Sequence, residues 1–361
     1  MPPTWWGGWW RRRSLRVVVR DRCPPSGPIV ARAAENAMVV VQDAYDSSDL
    51  PQGAVVAIGN FDGVHRGQCA ILERVVARAR ELRVAAAVVT FDPHPLAVLR
   101  PEHAPLAITT PAQKERLLSE AGIAVMLVVR FTREFSRTPA RQFVREFLWG
   151  RLRAREIHVG ESFSFGHRRE GTFELLCGIG EELGFTACGV PEVMLRGERI
   201  SSTRIRRAIA EGRVEDAAEM LGRPFCITGS VVRGDRMGQR LGWPTINVAA
   251  EHRLLPADGV YASRVLLPSF PASFDCATNI GTRPTVYENY QRVVESHILD
   301  FKSDVYGQRV ELSFYKRLRE ERIFPTVMDL SAQIGRDVEA TREYFSRRRQ
   351  EQEQEIPPAG L

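Results

Sequence analysis

Two glycine-rich loops and a short set of imidazole, hydroxyl, guanidinium and carboxylate side chains hold the chemistry open to this sequence. In the first loop, Gly59-Asn60-Phe61-Asp62-Gly63-Val64-His65-Arg66-Gly67-Gln68 runs directly into a helical pattern. Its glycines let the backbone close on a ligand, and the free N–H groups at the start of the helix attract an anion, so a phosphate fits there. Farther on, Ser201, Ser202 and Thr203 stand at a helix start with Arg204 and Arg206 extending from its first turn. Hydroxyls, free N–H groups and guanidinium forks together suit a triphosphate. The second loop, within "GSVVRGDRMGQRLGWPTINV" (229–248), carries Gly234, Gly238 and Gly242 ahead of Thr245 and Asn247, whose side-chain oxygens suit a hard cation such as Mg2+. Taken singly, each group also has a plainer reading: His65 as a turn histidine, "SSTRIRR" as a capped helix, Glu295 as a strand carboxylate facing water.

The elements that must position these groups fall into two kinds. From Ala54, buried strand patterns ("AVVAIG", "VAAAVVTF", "IAVMLVVRF", "EIHVG") alternate with amphipathic helical ones ("CAILERVVARARELR", "PARQFVREFLWGRL", "FELLCGIGEELGF"). Strands alternating with helices predict a mostly parallel α/β sheet that binds ligands at the carboxyl ends of its strands. After Pro224 short strand-like runs follow one another between Gly, Pro and Asp, which predicts an antiparallel barrel or sandwich, with a helix through "TVMDLSAQIGRDVEATREYF" packed over one end. "GIGEELG" (178–184) has the wrong spacing for a dinucleotide fingerprint and reads as a helix with its C-cap. No G-x-x-x-x-G-K-[ST] phosphate loop is present.

The order of segments carries more than any one of them. The first loop resembles the H-x-G-H signature of the nucleotidyltransferase superfamily, in the form G-x-F-D-G-x-H-x-G-H found in FAD synthetase modules. "TFDPHP" (90–95), "VGESFSFGHRREG" (159–171) and "ISSTRIRRAIAEGRVEDAAEMLGRPF" (200–225) resemble further segments of that module, in its order. The second loop resembles the riboflavin kinase signature G-x-V-x-x-G-x-x-x-G-R-x-L-G-x-P-T-A-N. "GVYA", "NIGTRPT", "VESHILDF", "YGQRV" and "LREERIF" follow as in that family. The chain is thus similar to the bacterial bifunctional riboflavin kinase/FAD synthetase family over roughly 53–345.

That resemblance implies an α/β nucleotidyltransferase domain (Rossmann-like, 53–221) and a β-barrel kinase domain (222–346) with a C-terminal helix. It implies phosphorylation of riboflavin to FMN and adenylylation of FMN to FAD, with ATP, riboflavin and FMN as partners and Mg2+ accompanying ATP; the flavins are substrate and product. Gly59, Phe61, Asp62, Gly63, Gly67, Gln68, Ser201, Ser202, Thr203 and Arg206 are expected at the first nucleotide, with His65 and Arg204 catalytic and Phe163, Phe165 and Gly166 at the flavin. Gly234, Gly238, Gly242, Thr245 and Asn247 are expected at the second nucleotide, Thr245 and Asn247 also at the metal, Glu295 as catalytic base and Arg319 near the flavin. The sequence departs from the family pattern at Gln68 in place of the second histidine, and at Ser162, Thr172, Gln239 and Ile246. A glutamine amide donates a hydrogen bond but carries no titratable charge. A second reading therefore keeps the kinase and makes the first domain a degenerate adenylyltransferase that binds nucleotide or regulates.

Composition narrows the classes. At 361 residues the chain suits two domains, and it contains no apolar run long enough to span a bilayer. The net charge of +6 comes from arginines spread along the chain. Only the first twenty residues, with Trp5, Trp6, Trp9, Trp10 and Arg11 to Arg13, interleave aromatics with a basic cluster, so neither nucleic acid nor membrane is an expected partner. The cysteines Cys23, Cys69, Cys177, Cys188, Cys226 and Cys276 show no zinc-finger spacing and read as reduced residues of a cytoplasmic protein. Residues 1–52 read as an unpacked leader, with Met38 as the expected true start, and 347–361 as a polar tail.

Overall fold

The computed structural model describes residues 38–42, 50–234, 237–283 and 291–355. The apolar runs of the first half form six parallel strands: β1 (Val39–Gln42), β2 (Val55–Ile58), β3 (Ala86–Asp92), β4 (Val125–Arg130), β5 (Glu156–Gly160) and β6 (Thr186–Val190), ordered β1-β4-β3-β2-β5-β6. Helices α1 (Arg66–Leu82) and α3 (Pro111–Glu120) cover one face. A short α2 (Pro95–Leu99) follows β3. The other face is covered by α4 (Ala140–Phe143), which runs on as a π-helix through Arg151, and by α5 (Phe173–Leu183). Strand alternation divides the core accordingly: Val55, Ala57 and Val88 pack under α1, while Val56, Ile58 and Val89 point the other way. Thr172 caps α5 by accepting the Leu175 N–H, and Gly184 (φ 82°) ends it in the left-handed region, so "GIGEELG" is a helix and its stop.

A two-stranded hairpin, β7 (Met194–Leu195) and β8 (Glu198–Arg199), leads into α6 (Ser202–Ala210) and α7 (Val214–Leu221). The next strands close into an antiparallel barrel: β9 (Phe225–Val232), β10 (Ile246–Ala250), β11 (Gly259–Leu266), β12 (Phe274–Arg283), β13 (Gln291–Ile298) and β14 (Arg309–Glu320), ordered β10-β13-β12-β11-β14-β9. One turn of helix, α8 (Met237–Arg240), lies in the β9–β10 loop, and α9 (Val327–Glu355) packs against β11 and β12 of the barrel. Ile205, Ile209, Val214 and Leu221 of α6 and α7 share one core with Phe225, Ile227 and Leu312 of the barrel. The halves are also tied by polar contacts, His252 Nε2 to Gln113 Oε1 at 2.8 Å and Arg116 to Glu311 at 2.8 Å.

Two boundaries differ from the sequence reading. Val39–Gln42, expected within the leader, pairs with β4 as the edge strand of the sheet, because an apolar edge hides one side of β4 from water. Residues 1–37 lie outside the described residues. Helix α9 continues past Phe345 into the stretch read as polar tail, where Arg, Gln and Glu favour helix without needing a partner surface.

Candidate active sites

The loop after β2 is held by a buried carboxylate. Asp62 Oδ1 accepts the N–H groups of Ile108 (2.9 Å) and Thr109 (3.2 Å), and its Oδ2 pairs with Arg206 at 2.6 Å. Phe61 (φ 45°), Gly63 (φ 91°) and Val64 (φ 41°) all take left-handed backbone there, which two side-chain-bearing residues adopt only when their surroundings impose it. Arg223 donates to the Gly63 and Val64 carbonyls, and the Ser202 hydroxyl to the Asp62 carbonyl, tying the loop to α6 and the start of the barrel.

That scaffold sets His65 at the N-cap of α1. Its Nδ1 accepts the Gln68 N–H at 3.3 Å, while Gln68 Oε1 accepts the His65 N–H at 3.1 Å, a reciprocal capping box. The neutral imidazole therefore carries its proton on Nε2. Burial pushes its pKa down to about 4, against the pull of Asp62. His94 also caps a helix: its Nδ1 accepts the Leu96 N–H, which leaves Nε2 as the protonated nitrogen facing the Asn60 amide at 3.1 Å. An Asn60 rotamer with its oxygen toward His94 satisfies that pair.

His65, Gln68, His94, Gly59, Asn60, Phe61, Gly67, Ser201 and Ser202 line a cleft of about 740 Å3 at the carboxyl ends of β2, β3, β5 and β6. Its lining also carries an aromatic wall, Phe91, Phe131, Phe135, Phe143, Phe163 and Phe165, with Phe163 stacked on Phe165 at 5.6 Å. Gly166 (φ 73°) turns the chain where a Cβ would meet the Ala140 backbone at 2.6 Å. Arg168 (φ 51°) and Arg169 (φ 62°) follow it at the cleft wall. Ser162 lines the cleft and accepts from Arg199 at 3.0 Å, whereas Thr172 is spent on capping α5.

Several expected nucleotide ligands face protein instead. Asp62 and Arg206 pair with each other, and Arg206 Nε also donates to the Leu106 carbonyl at 2.7 Å. Arg204 Nη1 donates to the carbonyls of Leu195 (3.2 Å) and Glu198 (3.0 Å), so it braces the β7–β8 hairpin, and Thr203 is exposed beside the cleft rather than in its lining. The hairpin in turn brings Arg199 to the cleft. Asn60, His94, Arg199 and the distal phenylalanines were not singled out from sequence; the histidine in "TFDPHP" was the legible signal among them.

In the barrel, register assembles the second site. Across neighbouring strands Asn247 is opposite Glu295, Glu295 opposite Asn279, Asn279 opposite Val260, and Val260 opposite Arg319. Directly opposed residues share a face, so these side chains form one row around the barrel. Glu295, Asn279 and Arg319 line a cleft of about 470 Å3 with Gly238, Thr245, Glu321 and Phe324, roofed by Leu330 and Ile334 of α9. Arg319 is fixed by Asp337 of α9, with Nε and Nη2 donating to the carboxylate at 2.7–3.0 Å. Burial raises the Glu321 pKa, and Asp258 adds to the shift. A Cβ on Gly234 would sit 2.3 Å from the Asn247 amide, and one on Gly238 would sit 3.1 Å from Thr245 Oγ1, so both glycines let the loop close on the two oxygen donors. Gly242 (φ 83°) needs its freedom for backbone conformation.

Residues 47–204 match the FAD synthetase family and residues 221–345 the riboflavin kinase family. A curated bifunctional riboflavin kinase/FMN adenylyltransferase of Escherichia coli (strain K12) is 39% identical over 310 residues, 85% of this chain and 98% of the relative. The protein of the same description from Haemophilus influenzae is 33% identical, covering 86% of this chain and all of the relative. The chain belongs to the bifunctional riboflavin kinase/FMN adenylyltransferase family. A solved Streptococcus pneumoniae structure, described as a macrolide-efflux protein, superposes with a TM-score of 0.78 and 30% identity over 85% of this chain and 99% of that one. Among the described residues, no helix is long and apolar enough to cross a membrane. Both family matches coincide with a cleft: the larger lies in the adenylyltransferase half, the smaller in the kinase half.

Proposed function

We infer that this chain makes both flavin nucleotides, converting riboflavin and ATP to FMN and ADP in the barrel, and FMN and ATP to FAD and pyrophosphate in the parallel-sheet half. The observation that carries the reading is end-to-end similarity to bifunctional relatives combined with a separate cleft in each half. It favours two activities over a kinase with a silent first domain.

In the kinase step the ribityl 5′-hydroxyl oxygen bonds to the γ-phosphorus as the bond to the ADP oxygen breaks. Glu295 takes the hydroxyl proton, a role suited to a carboxylate because phosphoryl transfer otherwise needs mainly positioning and charge neutralisation. Thr245 and Asn247 offer hard oxygen donors under a closing glycine loop, and they fit Mg2+. The bound ion would supply neutralisation of phosphate charge. Arg319, oriented by Asp337, faces the flavin.

In the adenylyltransferase step an FMN phosphate oxygen bonds to the α-phosphorus of ATP and the bond to pyrophosphate breaks. His65 offers Nε2–H to the departing phosphates, and their negative charge raises its pKa on binding. Gln68 orients His65 and adds its own amide to the cleft. Arg206 and Asp62 hold the loop, Arg204 holds the hairpin, and Arg199, paired with Glu192, offers a guanidinium to the ligand together with Arg168 and Arg169. The phenylalanine wall suits an isoalloxazine ring. Use of ATP implies a cytoplasmic location.

The test is chromatography of purified protein with riboflavin, ATP and Mg2+, then with FMN in place of riboflavin. FAD from both is expected. FMN accumulating without FAD would leave only the kinase, and no FMN would overturn the reading.

A further inference from the structure

Strand β5 carries two polar side chains where its neighbours carry apolar ones. In register with Val55 and Ala57 of β2, it places Glu156 and His158 on the face beneath α1, while Ile157 and Val159 point into the opposite core. Both polar residues are buried, and Cys188 of edge strand β6 lies directly beside His158. A carboxylate oxygen, a ring nitrogen and the thiol sulfur lie within 4.8 Å of one another, the one such group of three among the described residues.

The second observation is an open nitrogen. His158 is 4% exposed; its Nε2 contacts Glu156 Oε2 at 3.1 Å, and its Nδ1 has no hydrogen-bond partner. A buried ring nitrogen without a partner is unfavourable unless something occupies the site. The cations facing the cluster both come from α1. Arg78 donates Nε to both Glu156 oxygens at 3.0–3.1 Å, and Arg74 acts on His158. The Arg78 side chain is 40% exposed and also pairs with Glu81, so it can leave Glu156 for solvent.

We propose that Glu156, His158 and Cys188 form a binding site for a borderline-soft divalent cation, Zn2+ by the match of its O, N and S donors, with Arg78 as the charge that holds the carboxylate when the ion is absent. Ligands on one Zn2+ stand roughly 3.3–3.8 Å apart, given bond lengths of ~2.0–2.3 Å, so small side-chain rotations close the site. Mixed thiolate and imidazole donors select against Mg2+ and Ca2+. Cys188 releases its proton to solvent on binding, and a water completes the coordination. The site starts at the amino end of β5, away from the cleft at the carboxyl ends of the strands, so it is separate from the adenylyltransferase chemistry.

The test is titration of chelator-treated full-length protein with Co2+, reading the near-ultraviolet thiolate-to-cobalt band, with Zn2+ as competitor. One equivalent is expected, displaced by Zn2+. The band should vanish in Cys188→Ser, weaken at least tenfold in affinity in His158→Gln, persist in Cys177→Ser and Cys276→Ser, and form at lower Co2+ in Arg78→Gln. Both flavin activities should be unchanged in these variants, which also reports that they fold. Absence of a thiolate band in the wild type, or a band that survives Cys188→Ser, overturns the site; should Cys188→Ser fail to fold, unchanged or weaker binding in Arg78→Gln does so.

Discussion

His65 and Gln68 hold each other across the first turn of α1, each accepting the other's backbone N–H, at 3.3 and 3.1 Å. The arrangement keeps the His65 proton on Nε2, toward the cleft, and gives the amide at position 68 a use that a second imidazole is not needed for. Replacing His65 by Ala should lower FAD formation from FMN by ~10²–10³, the usual cost of one transition-state donor. FMN formation from riboflavin should not change. Gln68→Ala should have a smaller effect on rate and cost about 1 kcal/mol of stability through the lost cap. A parallel loss of both activities in His65→Ala would point to folding instead of chemistry.

The same imidazole makes stability depend on pH. Its folded pKa of about 4 lies below the ordinary value of 6.5, mainly because burial disfavours the charged form. Between those values the unfolded chain binds the proton and the folded one does not, so stability is full above pH 6.5 and falls as pH drops toward 4. The loss amounts to about 3 kcal/mol over that window. Denaturant midpoints at pH 7.5 and 4.5 should show it, and the difference should shrink in His65→Gln.

Arg206 and Asp62 make a buried pair at 2.6 Å, with side chains 15% and 9% exposed. Removing one partner of such a pair costs ~3–5 kcal/mol because the other charge stays buried. Arg206→Gln should therefore lower the unfolding midpoint strongly. A variant with unchanged stability and only a raised KM for ATP would instead make Arg206 a phosphate ligand.

Most of the architecture was legible because its signals are local. Alternating buried strands and amphipathic helices follow from apolar spacing, and the Gly59–Gln68 and Gly234–Gly242 loops follow from glycine placement. What could not be read was pairing across the chain. "SSTRIRR" shows two arginines beside a capped helix start, but only the fold reveals that Arg206 turns to Asp62 and Arg204 to the β7–β8 carbonyls. The cysteines showed no metal spacing because Glu156, His158 and Cys188 meet across two adjacent parallel strands, where sequence separation carries no distance. The phenylalanine wall draws on β3, the segment between β4 and α4, α4 itself and the loop after β5, so each ring looked like ordinary core.

Glu295 sits between Asn247 and Asn279 in the row around the barrel. A glutamine there keeps the shape and removes the proton acceptor. Glu295→Gln should reduce FMN formation by ~10²–10⁴, within the range for loss of a general base. FAD formation from supplied FMN should persist at the wild-type rate. Kinase activity within threefold of wild type would rule Glu295 out as the base.

Asp337 lines the kinase cleft beside Arg319 and holds it. The residue is 5% exposed, and its carboxylate takes two guanidinium nitrogens, plus the Gln333 amide at 2.8 Å. Asp337→Asn keeps the Gln333 contact but leaves Arg319 without a counter-charge, free to leave the flavin side of the cleft. The expected result is a rise in KM for riboflavin of roughly tenfold, equivalent to about 1.4 kcal/mol, with kcat little changed. Arg319→Lys should give a similar split, since an ammonium cannot reproduce the two-pronged pairing. An unchanged KM in a folded Asp337→Asn protein would mean that α9 roofs the barrel without positioning its ligand, and equal losses in kcat and KM would place Arg319 at the transferred phosphate.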